Sequence, residues 1–197
     1  MKEHPILFSA PMVRAILEGR KTMTRRIVKP QPIPDPVAPD RLLMWNEASM
    51  TKDAAFTKYC PYGQPADLLW VRETWATWPS MDGIKPSKLY NQMIHYRATF
   101  DPESVNHPPA MPKKWRPSIF MPRWASRITL EVVSVKVERV QDITTNDAMS
   151  EGVDTSKHVM GDHCPEFMRL WDSMNAKRGY GWDVNPWVWV VEFRRVS

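Results

Sequence analysis

Proline places the strongest limit on how this chain can fold. The sequence of 197 residues contains nineteen prolines, and two stretches, residues 29–40 and 102–122, are especially rich in them. Proline lacks an amide hydrogen and has a fixed φ, so neither stretch can form a helix or a central strand. We therefore predict one domain, residues 1–197, with two extended surface insertions at about residues 29–64 and 101–123.

Outside these insertions the pattern is mainly that of strands. Six segments carry β-branched runs or period-2 alternation: residues 6–9, 22–28, 68–75, 95–100, 128–140 and 187–193. The alternation changes parity in the fifth segment, which predicts a β-bulge near Val132. Bulges bend sheets, so these segments are expected to form a strongly curved sheet.

Helices are predicted to be few and short. Ser9 and Gly19 bound an apolar stripe, Thr144 and Asp147 have the spacing of a capping box, and residues 167–174 form a third amphipathic segment. This order of elements favours the α+β class, with a bent β-sheet or β-barrel and short flanking helices.

Charge and composition indicate the class of partner. The formal net charge is +5, the isoelectric point is near 9.3, and the chain has ten tryptophans. Basic residues are concentrated at residues 14–29, 113–127 and 194–195, which could form one basic face. A basic surface with aromatic rings is typical of proteins that bind single-stranded nucleic acid, although most individual tryptophans are expected in the core.

Several other classes have no support in the sequence. Two cysteines, Cys60 and Cys164, are too few for a disulfide framework, and no secretory signal or long apolar span is present. These cysteines, with His158 and His163, match no zinc-site spacing. We therefore expect a cytoplasmic protein that needs no metal, cofactor, membrane or obligate protein partner.

Residues 19–26, GRKTMTRR, are the most unusual local feature. They lack the glycines of a phosphate-binding P-loop, but they combine cations with two threonine hydroxyls. A lysine among other cations has a lowered pKa and can act as a base, so Lys21 could activate Thr24. Strand alternation alone would place these two residues on opposite faces, and a charged edge strand is the simpler interpretation.

Glu151 gives this segment a possible third partner. The predicted helix that begins after Thr144 ends beside Glu151, where a carboxylate meets the negative end of the helix dipole. A basic cleft would offset that cost. Alternatively, Glu151 is a surface residue that pairs with Lys157 or with nothing.

These residues resemble the N-terminal signature of ASCH domains, a branch of the PUA-like β-barrel group. The resemblance covers residues 6–8 and 16–26, the block at residues 68–75, the strand that starts at Arg127, and residues 143–152, about half of the chain. The tryptophan-rich, proline-interrupted version is similar to members carried by bacteriophages and prophages. This similarity implies that the protein acts in the cytoplasm of a bacterial cell or of a phage-infected host.

The resemblance also implies a chemistry. In small bacterial members that hydrolyse acetylated cytidine, the motif lysine is the base, the second threonine the nucleophile, and a later glutamate the proton donor; these roles would fall on Lys21, Thr24 and Glu151. The implied activity is that of an amidohydrolase acting on an acetylcytidine-like nucleoside. Residues expected to contact substrate are Arg26, Arg25, Trp70, Arg72 and Glu73.

Three alternatives stay open. The first is a non-catalytic module that binds single-stranded nucleic acid, RNA rather than DNA. The second is a ribonuclease, an activity reported for some members of the family. The third is a phage accessory protein that acts on a host protein through the proline-rich insertions.

Overall fold

The computed structural model describes residues 1–35, 41–43, 49–51, 57–90, 92–102, 112–153 and 163–197. The strands are β1 (Glu3–Leu7), β2 (Met23–Ile27), β3 (Ile33–Pro34), β4 (Arg41–Leu43), β5 (Ser49–Thr51), β6 (Leu68–Arg72), β7 (Trp75–Ala76), β8 (His95–Tyr96), β9 (Thr129–Arg139) and β10 (Trp187–Arg195). The helices are α1 (Ala10–Leu17), α2 (Thr145–Ser150) and α3 (Cys164–Asn175). None of the described helices is long and apolar enough to cross a membrane.

The main sheet has five strands in the order β1-β6-β9-β10-β2. β1 and β6 run parallel, and the other neighbours are antiparallel. Two smaller antiparallel sheets, β3-β4-β5 and β7-β8, lie outside it. The architecture is α+β, as the sequence predicts.

β10 is the centre of the molecule because both of its faces are buried. Trp189, Val191 and Phe193 pack into a core with α1, β1 and β6. Val188 and Val190 face a second core that α2 and α3 cover. A strand buried on both faces needs a nearly continuous apolar run, which the C-terminal segment supplies.

The predicted β-bulge is confirmed. Glu192 lies opposite Ser134, but the next residue, Phe193, lies opposite Val132, so Val133 is the extra residue of β9. In the described part of the chain the sheet does not close into a barrel: β1 and β2 are its edges. The curvature nevertheless brings these edges together, because Arg26 in β2 donates a hydrogen bond to the Leu7 carbonyl at the end of β1.

Local signals at the helix ends agree with the structure in most cases. Thr144 and Asp147 form the predicted capping box, with bonds of 3.1 and 3.3 Å. Ser9 occupies the N-cap of α1, but its side chain makes no capping hydrogen bond. The predicted strand at residues 68–75 is too long, because the chain leaves the main sheet after Arg72 and Trp75 pairs instead with Tyr96.

The described parts of the two insertions are not structureless. The first contributes β3, β4 and β5, with Pro34 on an edge strand, where a missing amide hydrogen costs no ladder bond. The second contains short 3₁₀ turns, among them Ser118–Phe120 and Arg123–Ala125, and a backbone bridge between Arg116 and Trp75. Residues 36–40, 44–48, 52–56 and 103–111 of these insertions lie outside the described residues.

Candidate functional site

The structure brings Lys21 and Glu151 together as a buried ion pair. Lys21 follows the turn after α1, and Glu151 is the C-cap of α2. The Lys21 Nζ donates to Glu151 Oε2 at 2.7 Å, to the Glu151 carbonyl at 2.8 Å and to the Met23 carbonyl at 2.8 Å. The two residues are only 2% and 4% exposed. Glu151 is therefore paired with Lys21; Lys157, the other partner considered from the sequence, lies outside the described residues.

The environment of Lys21 disfavours its charged form. Burial lowers the pKa of the Lys21 amine, and the nearby charges of Arg26 and Arg25 lower it further. The Glu151 carboxylate acts in the opposite direction through its charge and its hydrogen bond, but it does not restore the ordinary pKa. Lys21 is thus held in a state from which proton loss is easier than in water.

Arg25 lies on the other side of this pair, inside a cluster of carboxylates. Its Nη2 contacts Glu138 at 2.5 Å and Asp147 at 2.9 Å, and its Nη1 lies 3.5 Å from Glu151 Oε1. Burial raises the pKa of Asp147, but the Thr144 amide and the Arg25 guanidinium outweigh it and leave that pKa lowered. Arg25 consequently serves the protein interior, and its charge is compensated there.

Thr24 stands apart from the Lys21 hydrogen bonds. It pairs with Val191 of β10 and is fully buried, and its Oγ1 has no hydrogen-bond partner among the described residues. The three Lys21 bonds go to Glu151 and Met23, so no hydrogen bond joins Lys21 to Thr24 in this structure. A buried hydroxyl without a hydrogen-bond partner costs stability, so a requirement of the fold does not explain why this position carries a threonine.

A cavity of about 660 Å³ opens where the edges of the main sheet approach each other. We call it the main cavity. Its walls come from β2, the start of α1 and the end of α3, with aromatic rings at Phe8, Tyr62 and Trp171. No Asp or Glu lies among the described residues that line it.

Three cations of the main cavity have no carboxylate to neutralise them. Arg26, Lys29 and Arg178 all line it, and none has a carboxylate partner within the described ranges. Arg26 is held by the Leu7 carbonyl at 2.9 Å and lies 5.1 Å from the centre of the Phe8 ring. The cavity is therefore positively charged and partly aromatic.

A second cavity, of about 530 Å³, adjoins the main one, and Ser9 and Met12 line both. Glu151 opens into this second cavity. Its other charges are largely paired, Arg20 with Glu18 and Arg169 with Glu166. Glu151 thus lines the second cavity and Arg25 lines the main one, whereas Lys21 lines neither of them.

The remaining predicted contact residues lie on and after β6. The Arg72 guanidinium donates to the carbonyls of Ile119 and Met121 and lies 5.2 Å from the Trp70 ring. Glu73 accepts two bonds from Arg127, at 2.9 and 3.1 Å, and burial raises the pKa of its carboxyl. Trp70, Arg72 and Glu73 do not line the main cavity. Arg72 bonds to the second insertion, and Glu73 bonds to Arg127 just after it.

Sequence reasoning overestimated the basic face and missed part of the cavity. Ion pairs use many of the cations in the basic clusters: Arg20 with Glu18, Arg123 with Glu3, Arg127 with Glu73 and Arg194 with Glu131. Arg178 and Tyr62, which line the main cavity, carried no signal, because nothing local connects them to β2. Lys29 was part of the first basic cluster but not distinguished within it.

The described residues contain no group of three or more His, Cys, Asp or Glu that could hold a metal ion. His158 lies outside the described residues. Burial raises the pKa of the Cys60 thiol to about 11, so this cysteine stays protonated at neutral pH.

Comparison with known proteins gave matches among solved structures. No protein-family model and no curated protein matches the chain. The chain is similar to a crystal structure of a protein from Enterococcus faecalis V583 in the family DUF984, with 8% identity, a TM-score of 0.45, and coverage of 100% of this chain and 81% of that chain. It is also similar to a crystal structure of an ASCH domain from Lactobacillus crispatus JV V101, with 12% identity, a TM-score of 0.41, and coverage of 99% and 80%. An ASCH domain is therefore among its structural neighbours.

Proposed function

We propose that this protein binds a nucleotide unit of a nucleic acid in the main cavity. The observation that carries the proposal is the combination, around one cavity, of three uncompensated cations with the half-buried ring of Tyr62; the other two lining rings, Phe8 and Trp171, belong to the buried cores. Cations attract phosphate, and aromatic faces stack against bases. A volume of about 660 Å³ falls within the usual range of ligand pockets.

Arg178 is the best residue with which to test binding. It is exposed in the 3₁₀ turn Ala176–Arg178 that follows α3, and no carboxylate in the described chain holds it, so its removal should not disturb the fold. Lys177 is a matched control, since it is the exposed neighbour of Arg178 but does not line the main cavity. We expect Arg178→Ala to weaken binding of cytidine monophosphate about tenfold, the loss of one charge-assisted hydrogen bond, and Lys177→Ala to leave it nearly unchanged. Equal effects of the two variants in calorimetric titrations would refute the proposal.

Hydrolysis of an acylated base is a second candidate function. The observation that favours it is the buried Lys21–Glu151 pair, located next to a strand that carries an unpartnered Thr24 hydroxyl. Transfer of one proton from Lys21 to Glu151 across 2.7 Å makes the lysine neutral and the glutamate protonated. These are the protonation states that a base and an acid need at the start of acyl transfer.

The reaction would then proceed in balanced steps. Lys21 takes the proton of the Thr24 hydroxyl, and the Thr24 oxygen forms a bond to the acyl carbon while the carbon–nitrogen bond to the base breaks. Glu151 gives its proton to the leaving amine. The Glu151 carboxylate then takes a proton from water, which attacks the carbonyl carbon of the acyl-threonine ester. The acyl group leaves as a carboxylic acid, and the Thr24 oxygen takes back the proton held by Lys21. In this scheme Lys21 must give up one of its present hydrogen bonds to form one with the Thr24 hydroxyl. The bond to the Met23 carbonyl can be given up without breaking the ion pair with Glu151.

Thr24→Val is the sharpest test of hydrolysis. Lys21→Ala, the variant that the sequence suggests, would also break a buried ion pair, so loss of activity would not separate chemistry from folding. Valine has the shape of threonine and removes only the hydroxyl. We expect Thr24→Val to keep nucleotide binding and to lose release of cytidine from acetylcytidine, measured by chromatography, while Thr24→Ser retains some turnover. Undiminished turnover by Thr24→Val would exclude this mechanism.

A further inference from the structure

The turn Ser118–Phe120 presents two apolar side chains beside the main cavity. Ser118 lines that cavity, and the next two residues point away from the protein: Ile119 is 57% exposed and Phe120 is 58% exposed. Large apolar side chains that stay exposed next to a polar, charged cavity are typical of binding surfaces. We call these two side chains the apolar step.

The backbone beneath the apolar step is fixed. The Phe120 amide donates to the Pro117 carbonyl, and the Met121 amide donates to the Ser118 carbonyl, both at 3.0 Å. Met121 is fully buried, and Arg72 donates to the carbonyls on both sides of Phe120. These contacts fix the backbone that carries Phe120, so the position from which its exposed ring projects is preorganised.

The charge near the apolar step suits a polyanion. Lys113 and Lys114, a few residues earlier in the same segment, are exposed and have no carboxylate partner in the part of the chain that is described. Arg116 fixes this segment to the body of the protein through the Trp75 backbone and the Met81 carbonyl. Thr74, next to Trp75, lines the main cavity. The segment thus runs from two free cations to the rim of that cavity.

We propose that the apolar step stacks against the base that neighbours the nucleotide in the main cavity, so that the ligand is a single-stranded nucleic acid and not a free nucleotide. This inference rests on the proposed function of the main cavity. Stacking on an aromatic face tolerates any base, and the lysines upstream would follow the phosphate backbone. Arg72, predicted from the sequence to contact substrate, acts instead as a positioning residue for the step.

The test compares ligand lengths with a set of Phe120 variants. Cytidine monophosphate and cytidine hexanucleotides of RNA and of DNA are titrated by calorimetry against the wild type, Phe120→Ala, Phe120→Trp and the control Val133→Ala, an exposed apolar residue on the bulge of β9. We expect hexanucleotides to bind at least tenfold more tightly than the mononucleotide. Phe120→Ala should weaken hexanucleotide binding about tenfold and leave mononucleotide binding unchanged. Phe120→Trp, which keeps an aromatic ring, should bind the hexanucleotides as tightly as the wild type. Val133→Ala should have no effect.

Three results would overturn the inference while leaving nucleotide binding in the main cavity intact. These are equal affinity for the mononucleotide and the hexanucleotides, an equal loss for both in Phe120→Ala, or no difference between Phe120→Ala and Val133→Ala. Failure of the main cavity itself has a different signature. In that case the mononucleotide does not bind, or Arg178→Ala and Lys177→Ala behave alike.

Discussion

The buried ion pair between Lys21 and Glu151 offers a quantitative test of how the candidate site is built. The perturbation is a double-mutant cycle: Lys21→Met, Glu151→Leu and both together. Lys21→Met leaves the Glu151 carboxylate buried with only the Arg25 guanidinium, 3.5 Å away, to offset its charge. Glu151→Leu leaves a buried ammonium that keeps two backbone carbonyls but loses its counter-ion.

The expected magnitudes follow from these contacts. Removal of one partner from a buried pair costs about 3–5 kcal/mol, so each single variant should lose that much unfolding free energy. The double variant removes both charges and leaves only the Met23 and residue-151 carbonyls without their donor, at about 1 kcal/mol each. Its loss should therefore be about 2 kcal/mol, well below the sum of the single losses. The resulting coupling energy is about 4 kcal/mol or more.

Urea unfolding followed by tryptophan fluorescence measures all four proteins, since ten tryptophans report on the cores. The pair Arg194–Glu131 is a matched control, because its 2.8 Å contact nearly equals the 2.7 Å of the buried pair while Arg194 is exposed. The cycle Arg194→Met and Glu131→Leu should give a coupling below about 1 kcal/mol. Additive losses in the Lys21 cycle, or equal coupling in both cycles, would refute the reasoning that burial makes this pair strong.

The pH dependence of the same proteins gives an independent check. Burial lowers the pKa of folded Lys21 below its ordinary value of 10.5, so between the two values the unfolded chain holds a proton that the folded chain has lost. The free energy of unfolding then rises with pH in this window. The contribution of Lys21 to it is fully present above pH 10.5 and is lost as pH falls through the pKa of folded Lys21. The stability of the wild type relative to the double variant should therefore increase from neutral to alkaline pH. A flat or falling difference would contradict the lowered pKa.

Three further outcomes are expected. Thr24→Val removes a buried hydroxyl without a partner, so calorimetric melting should show unchanged stability or a gain of about 1 kcal/mol, and a loss above that size would mean that the hydroxyl is bonded in the folded protein. In urea unfolding, Gly152→Ala should lower the free energy of unfolding more than Gly179→Ala does. Both glycines have φ near +80°, but only at Gly152 would a new Cβ lie 2.9 Å from the Lys21 Cβ. Equal losses would show that this crowding is relieved. Burial raises the pKa of Glu73, so the stability of the wild type relative to Glu73→Gln is greatest below the ordinary carboxyl pKa of 4.5 and should fall as pH rises through the raised pKa. A difference in stability that grows with pH would contradict the raised pKa.

Much of the fold could be predicted because its signals are local. The bulge at Val133 follows from a change of parity between consecutive residues, and the capping box at Thr144 from a spacing of three. The end of β6 could not be predicted. Residues 68–75 read as one strand, but Glu73 is held by Arg127, which lies 54 residues later, and the chain turns away there.

The candidate site divides in the same way. Lys21, Thr24 and Glu151 can be recognised as chemically unusual from local sequence, because cations beside hydroxyls and a carboxylate at a helix end are visible there. The contacts that these residues make depend on the tertiary structure. Lys21 contacts Glu151, which lies 130 residues later in the chain. The main cavity combines Arg26 from β2 with Arg178, which follows α3. These contacts depend on strand order and on the curvature that brings β1 to β2, and no local run of residues specifies either.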